Sequence, residues 1–146
     1  AKHASDLNNV QAVLVLDNGT GMITGQALQG RNQDAQLWQD LLAPVASLGA
    51  SKVREANKGG TDHLAFTPYG VPGWNFDQEV RGYNHTHHSQ VDTYDHAVPG
   101  DLMQASAVMA VTGFELANLP ALLPRGPVTP VTPRTVLPPS PGLAKK

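Results

Sequence analysis

The sequence predicts an α/β fold built on a layered sheet, and three observations predict it. A short, nearly continuous Val/Leu run spans residues 10–16 (Val-Gln-Ala-Val-Leu-Val-Leu), the signature of a buried central strand. Helical periodicity follows over residues 32–48 and returns over residues 102–119. Further short extended stretches lie between the two, so strand and helix alternate along the chain.

The first strand stops at Asp17-Asn18-Gly19, where Asp17 either opens an Asx-type turn or stands at the carboxyl end of a strand, the position from which open α/β sheets present ligand-binding groups. Residues 23–29, flanked by Gly21 and Gly30, form a second extended candidate. Over residues 32–48, Leu37, Trp38, Leu41, Leu42, Val45 and Leu48 recur at spacings of three and four, with Asn32 or Asp34 as the cap. Pro44 kinks this helix or starts a new one, and Gly49 ends it. Residues 52–56 and 72–76 are the next strand candidates. Between them, Thr61 or Asp62 can cap a short helix running through Phe66 to Tyr69, which Gly70 ends. The last helix, residues 102–119, takes Asp101 as its N-cap and shows an Ala-rich, apolar pattern over Met103, Ala107, Ala110, Val111, Phe114 and Leu116 to Leu119. Trp38, Trp74 and Phe114 are expected in the core.

Eight of the 12 prolines fall in residues 120–146. The run Pro127-Val-Thr-Pro-Val-Thr-Pro133 makes neither helix nor central strand. The domain is therefore expected over residues 1–123, with residues 124–146 an extended or disordered tail, or one laid along the domain surface.

The 146 residues suffice for one domain with a core, and the formal charge of −2 suggests no nucleic-acid or anionic-membrane partner. No apolar run is long enough to span a membrane. With no cysteine in the chain, a metal must be held by His, Asp, Glu or water. Four of the six histidines, His85, His87, His88 and His96, fall within residues 82–96 together with Asp92 and Asp95. Imidazole and carboxylate are metal-ligand chemistry, although a His-rich polar loop satisfies the same composition.

Three segments taken together resemble a family. They are Val13-Leu14-Val15-Leu16-Asp17-Asn18-Gly19, then Gly60-Thr61-Asp62-His63 with Gly70-Val71-Pro72, then Tyr83-Asn84-His85-Thr86-His87-His88-Ser89-Gln90-Val91-Asp92-Thr93. In order and spacing they resemble the carboxy-terminal part of the two-zinc exopeptidases of the aminopeptidase Y-like type, in the plasma glutamate carboxypeptidase (carboxypeptidase Q) branch. The resemblance covers about residues 7–125.

It implies a three-layer α/β/α sandwich with two zinc ions at the carboxyl ends of the strands, a secreted or periplasmic location, and peptide or dipeptide substrates. A homodimer is left open. By resemblance, Asp17 and His88 are zinc ligands, His88 standing four positions before the Asp92-Thr93 pair. Asp62, His63, His87 and Asp92 would stand beside the metal or meet substrate, with His63 a hydrogen-bonded structural residue, Asp62 orienting a ligand or the peptide, and Asp92 and Thr93 capping the following turn. His3 and His96 are expected in solvent.

The family pattern also holds an earlier His, a bridging Asp and an adjacent Glu-Glu pair containing the general base. The three glutamates here, Glu55, Glu79 and Glu115, are not adjacent to one another. The expectation is a zinc exopeptidase represented by part of its catalytic domain and inactive alone. The remaining ligands and the base would come from a preceding segment or a partner chain. Two alternatives share the fold: a non-catalytic interaction domain resembling the transferrin-receptor ectodomain, and a glutaminyl cyclase-like acyltransferase.

Overall fold

The computed structural model describes residue 3 and residues 5–127. Four strands form one mixed sheet: β1 (Val13–Val15), β2 (Ile23–Ala27), β3 (Lys52–Arg54) and β4 (Gly73–Gln78), in the order β1-β4-β2-β3. β1 runs parallel to β4, with Val13 opposite Gly73 and Val15 opposite Asn75, whereas β2 runs antiparallel to β4 and parallel to β3. The helices are α1 (Ala35–Leu42), α2 (Tyr83–Thr86) and α3 (Pro99–Ala117), with 3-10 turns between them.

The pleat of β4 assigns the layers. Successive side chains point to opposite faces. Trp74 and Phe76, both fully buried, meet Trp38 of α1 edge-to-face at 5.2 and 5.7 Å between ring centroids. Gly73 and Asp77 point the other way. A side chain at Gly73 would sit 3.1 Å from His63 Cβ. The carboxylate of Asp77 takes two hydrogen bonds from Arg54, at 2.6 and 2.7 Å, with Lys58 Nζ at 3.5 Å. One face is thus covered by α1 and α3, and the other by the chain between β3 and β4. Two covered faces are the α/β layering the sequence predicts.

Several elements differ from expectation. The apolar run at residues 10–16 is not a central strand: β1 is three residues long, half-buried, and at the edge of the sheet among the described residues. Its hydrophobicity signalled burial, but only β4 pairs with it here. The predicted helix at residues 32–48 is real but divided. A 3-10 turn at Asn32–Asp34 leads into α1, and a second 3-10 segment, Ala43–Leu48, takes over beside Pro44 and ends at Gly49 with φ +96°. The short helix after Thr61 is a 3-10 turn over Asp62–Ala65 only.

Asp101 is not the N-cap of α3. The cap position is Val98, Pro99 occupies the first turn, where its missing N–H costs nothing, and the buried Asp101 carboxylate faces Arg81. The buried stripe of α3 is Asp101, Ala105, Val108, Thr112 and Leu116. Met103 and Phe114 stand 69% and 67% exposed rather than in the core. An all-round apolar helix conceals its true face, and Thr112 joins the buried one because its hydroxyl donates to the Val108 carbonyl at 2.8 Å.

Of the tail expected from residue 124, residues 124–127 are described, and they lie against the domain. Arg31 donates to the Pro124 carbonyl at 2.8 Å, Gly126 N–H to Gly70 at 2.9 Å, and Arg125 to Asn8 at 2.7 Å. Residues 128–146, including the Pro-Val-Thr repeat beyond Pro127, lie outside the described residues.

Candidate functional site

Because β1 and β4 are parallel, the segments following them emerge at the same end of the sheet. After β1 comes Asp17-Asn18-Gly19; after β4 comes the His-rich stretch. Together they line an open cleft of about 710 Å³. Its walls include Asp17, Arg81, Tyr83, His87, His88 and Asp92, with Gly59 and Gly60 contributed by the loop that follows β3. Of the residues singled out from sequence, Asp17, His87, His88 and Asp92 are therefore brought together. Asp62 and His63 do not line the cleft.

The Asp17 turn is held from β4. Gln78 accepts from Asn18 N–H at 2.9 Å, and its amide donates to the carbonyls of Gly19 and Gly21, each at 2.9 Å. Asn75 donates to the Asn18 side chain at 3.2 Å. The Asp17 side chain is exposed into the cleft, free of these contacts.

The opposite wall starts at Gly82, whose φ of +72° turns the chain into α2. Ser89 closes that single turn by donating to the carbonyls of His85 at 2.7 Å and Thr86 at 2.9 Å. The rings of Tyr83, His87 and His88 then form a stack, with centroids 4.8 Å apart for the first pair and 4.0 Å for the second. His88 has φ +53°, in the left-handed region that side chains with a Cβ rarely adopt. The stretch continues through Asp92 to Thr93, the residue in the cap position of the 3-10 turn Tyr94–His96. Asp92 itself is exposed, and the Thr93 hydroxyl binds Asp95, lowering that carboxyl's pKa. His3 and His96 are exposed as expected, although His96 also lines the cleft and its carbonyl accepts from Thr20 at 3.1 Å.

His63 is not hydrogen-bonded as expected. It is fully buried, and neither ring nitrogen has a well-formed partner. Burial lowers its pKa, opposed by the nearby Lys58 backbone, so the ring is held neutral. Lys58 is also pushed down by burial, against the pull of Asp77. Arg81 Nε lies 2.8 Å from Asp101 Oδ2 and 3.2 Å from Glu79. Arg81 Nη2 donates to the other Asp101 oxygen at 3.5 Å.

Gln78 and Arg81 carry no signal in the sequence, and Tyr83 stands in the third family-like segment with no role read for it. Only the parallel β1–β4 register puts Gln78 beside the Asp17 turn, and no local pattern announces it.

Oxygen and nitrogen donors facing one cleft are the donor chemistry of a zinc site. Asp17 and His88 fit that chemistry as two members of a set. Among the described residues, no group of three or more His, Asp or Glu side chains converges closely enough to hold a metal ion. Among the same residues, no helix is long and apolar enough to cross a membrane.

The α/β sheet carries a donor-lined cleft at its strand ends, and comparison with known proteins gives the family. The profile of peptidase family M28 matches residues 1–112. The chain belongs to peptidase family M28. It is 28% identical over 123 residues to carboxypeptidase Q of Mus musculus and, equally, of Homo sapiens, a match covering 84% of this chain and 26% of each relative. The chain thus spans about a quarter of the length of those relatives. The crystal structure of a peptidase M28 precursor from Shewanella amazonensis SB2B superposes with a TM-score of 0.74 at 25% identity, covering 86% of this chain and 29% of that one.

Proposed function

We propose that this chain supplies part of the metal centre of a zinc-dependent exopeptidase acting on short peptides, with Asp17 and His88 as its zinc ligands. One observation carries the reading: two donors from distant parts of the sequence face the same cleft at the carboxyl ends of parallel strands. Membership of a peptidase family supports the reaction class.

A bound zinc pair would acidify a water and polarise the scissile carbonyl. This chain's part is to hold donors. Asp17 offers a carboxylate on a turn fixed by Gln78, and His88 offers an imidazole fixed by the ring stack. His87 and Asp92, on the same wall, are in position to meet substrate. His63, buried against β4, acts on the fold rather than on the reacting atoms, and Asp62 is exposed outside the cleft. The general base and remaining ligands are contributed from outside these 146 residues, by another segment or a partner chain.

The test is peptidase activity on dipeptides, measured for the intact gene product, His88→Ala and Asp17→Asn, with and without a chelator. Chelator-sensitive hydrolysis in the unaltered protein and loss in both variants are expected. Equal activity in the variants would sink the ligand assignment. The 146-residue chain alone is expected to be inactive.

A further inference from the structure

Tyr83 touches both walls of the cleft. Its hydroxyl donates to the Asp17 carbonyl at 3.3 Å. Its ring packs against His87, tilted by 35°, and His87 stacks on His88 at 27° between ring planes. On the Asp17 side it meets Gly19, where an added Cβ would lie 3.0 Å from Tyr83 Cδ2 and where φ is +82°. No other side chain in the cleft links the Asp17 turn to the histidine stack in this way among the described residues.

We infer that Tyr83 is the positioning residue that sets the Asp17 turn and the His88 ring against each other, so that both donors point into one cleft. The inference deepens the zinc-ligand reading of Asp17 and His88 and rests on it. The physical need is visible at His88. Its backbone is in an unfavourable region, and its side chain is exposed into an open cleft. Left to itself, an exposed imidazole samples several rotamers. A ring stack anchored through Tyr83 to the neighbouring strand end restricts that sampling. Gly19 fits the same logic, because a glycine tolerates both the positive φ and the close approach of the tyrosine ring.

The experiment combines zinc titration of the intact gene product with NMR of the histidine ring protons, for the unaltered protein, Tyr83→Phe, Tyr83→Leu, Gly19→Ala and His88→Ala. Tyr83→Phe keeps the stack and loses one long hydrogen bond, so zinc affinity should stay within about threefold. Tyr83→Leu removes the ring. The ring-current shift of His87 should vanish and zinc affinity should fall about 10- to 100-fold, the usual range for a group that orients a ligand. Gly19→Ala, which crowds the ring without removing it, should move the His87 resonances in the same direction.

A Tyr83→Leu protein that binds zinc like the unaltered protein, while His88→Ala does not, overturns the positioning role and leaves the ligand reading standing. A His88→Ala protein that binds zinc unchanged overturns both. The metal-free NMR readout stands apart from activity, and Tyr83→Phe, which keeps the packing, guards against misreading a folding defect.

Discussion

Replacing Gln78 by alanine should loosen the Asp17 turn while leaving the rest of the fold in place. Gln78 makes three hydrogen bonds to the segment after β1, all at 2.9 Å: one accepted from Asn18 N–H and two donated to the carbonyls of Gly19 and Gly21. Each such bond is worth about 0.5–1.5 kcal/mol net. The Gly19 contact is exposed, so water replaces it readily. The loss should then be about 2 kcal/mol, most of it local to the turn. Hydrogen exchange reads this directly. The Asn18 amide should exchange faster by about 10-fold or more, since 1.4 kcal/mol corresponds to a factor of ten. Gln78→Glu is the informative companion. It keeps an acceptor for Asn18 N–H but turns the amide donor into an oxygen facing two carbonyls, so Asn18 should keep part of its protection while the Gly19–Gly21 segment loosens. Unchanged Asn18 exchange in Gln78→Ala would refute the claim that β4 holds the Asp17 turn.

Three further predictions concern the scaffold. His63 is buried neutral with a pKa below its ordinary 6.5. In the unfolded chain it takes up a proton near that value, so stability is full above about 6.5 and declines as the pH falls toward the lowered folded value; His63→Leu should flatten this part of a urea-unfolding pH profile, and identical profiles would contradict the assignment. Leu42→Ala should cost about 2–5 kcal/mol, because Leu42 is 1% exposed in the main core. Phe114→Ser, at a site 67% exposed, should change the stability of the described fold by less than about 0.5 kcal/mol in the same unfolding assay.

The sequence was informative where local pattern and tertiary environment agree. Trp38, Leu41 and Leu42 recur at helical spacing and form the buried face of α1, and Gly49 ends the helical region through a positive φ. The Val/Leu run correctly announced a strand leading into the Asp17 turn. It did not announce an edge strand, because apolar character records burial and not the number of strands paired alongside. Periodicity failed on α3 for a related reason. With alanines and hydrophobic residues on every side, Phe114 and Val108 look alike in sequence, and only packing on β2 and α1 distinguishes them. Asp101 looked like a cap because Asp favours helix starts, yet Pro99 already occupied the first turn and Arg81 drew the carboxylate inward. In the cleft, motif spacing singled out Asp17 and His88. Of the residues that hold them, Gln78 lies in no motif, and Tyr83 opens the third family-like segment without a pattern that marks its positioning role.

Anomalous diffraction at the zinc absorption edge from crystals of the intact gene product would locate zinc and so test the assignment of Asp17 and His88 as ligands. An anomalous peak is expected in the cleft between β1 and α2, with an Asp17 carboxylate oxygen and a His88 ring nitrogen about 2.0–2.2 Å away. Zinc bound elsewhere, with Asp17 and His88 left uncoordinated, would contradict it.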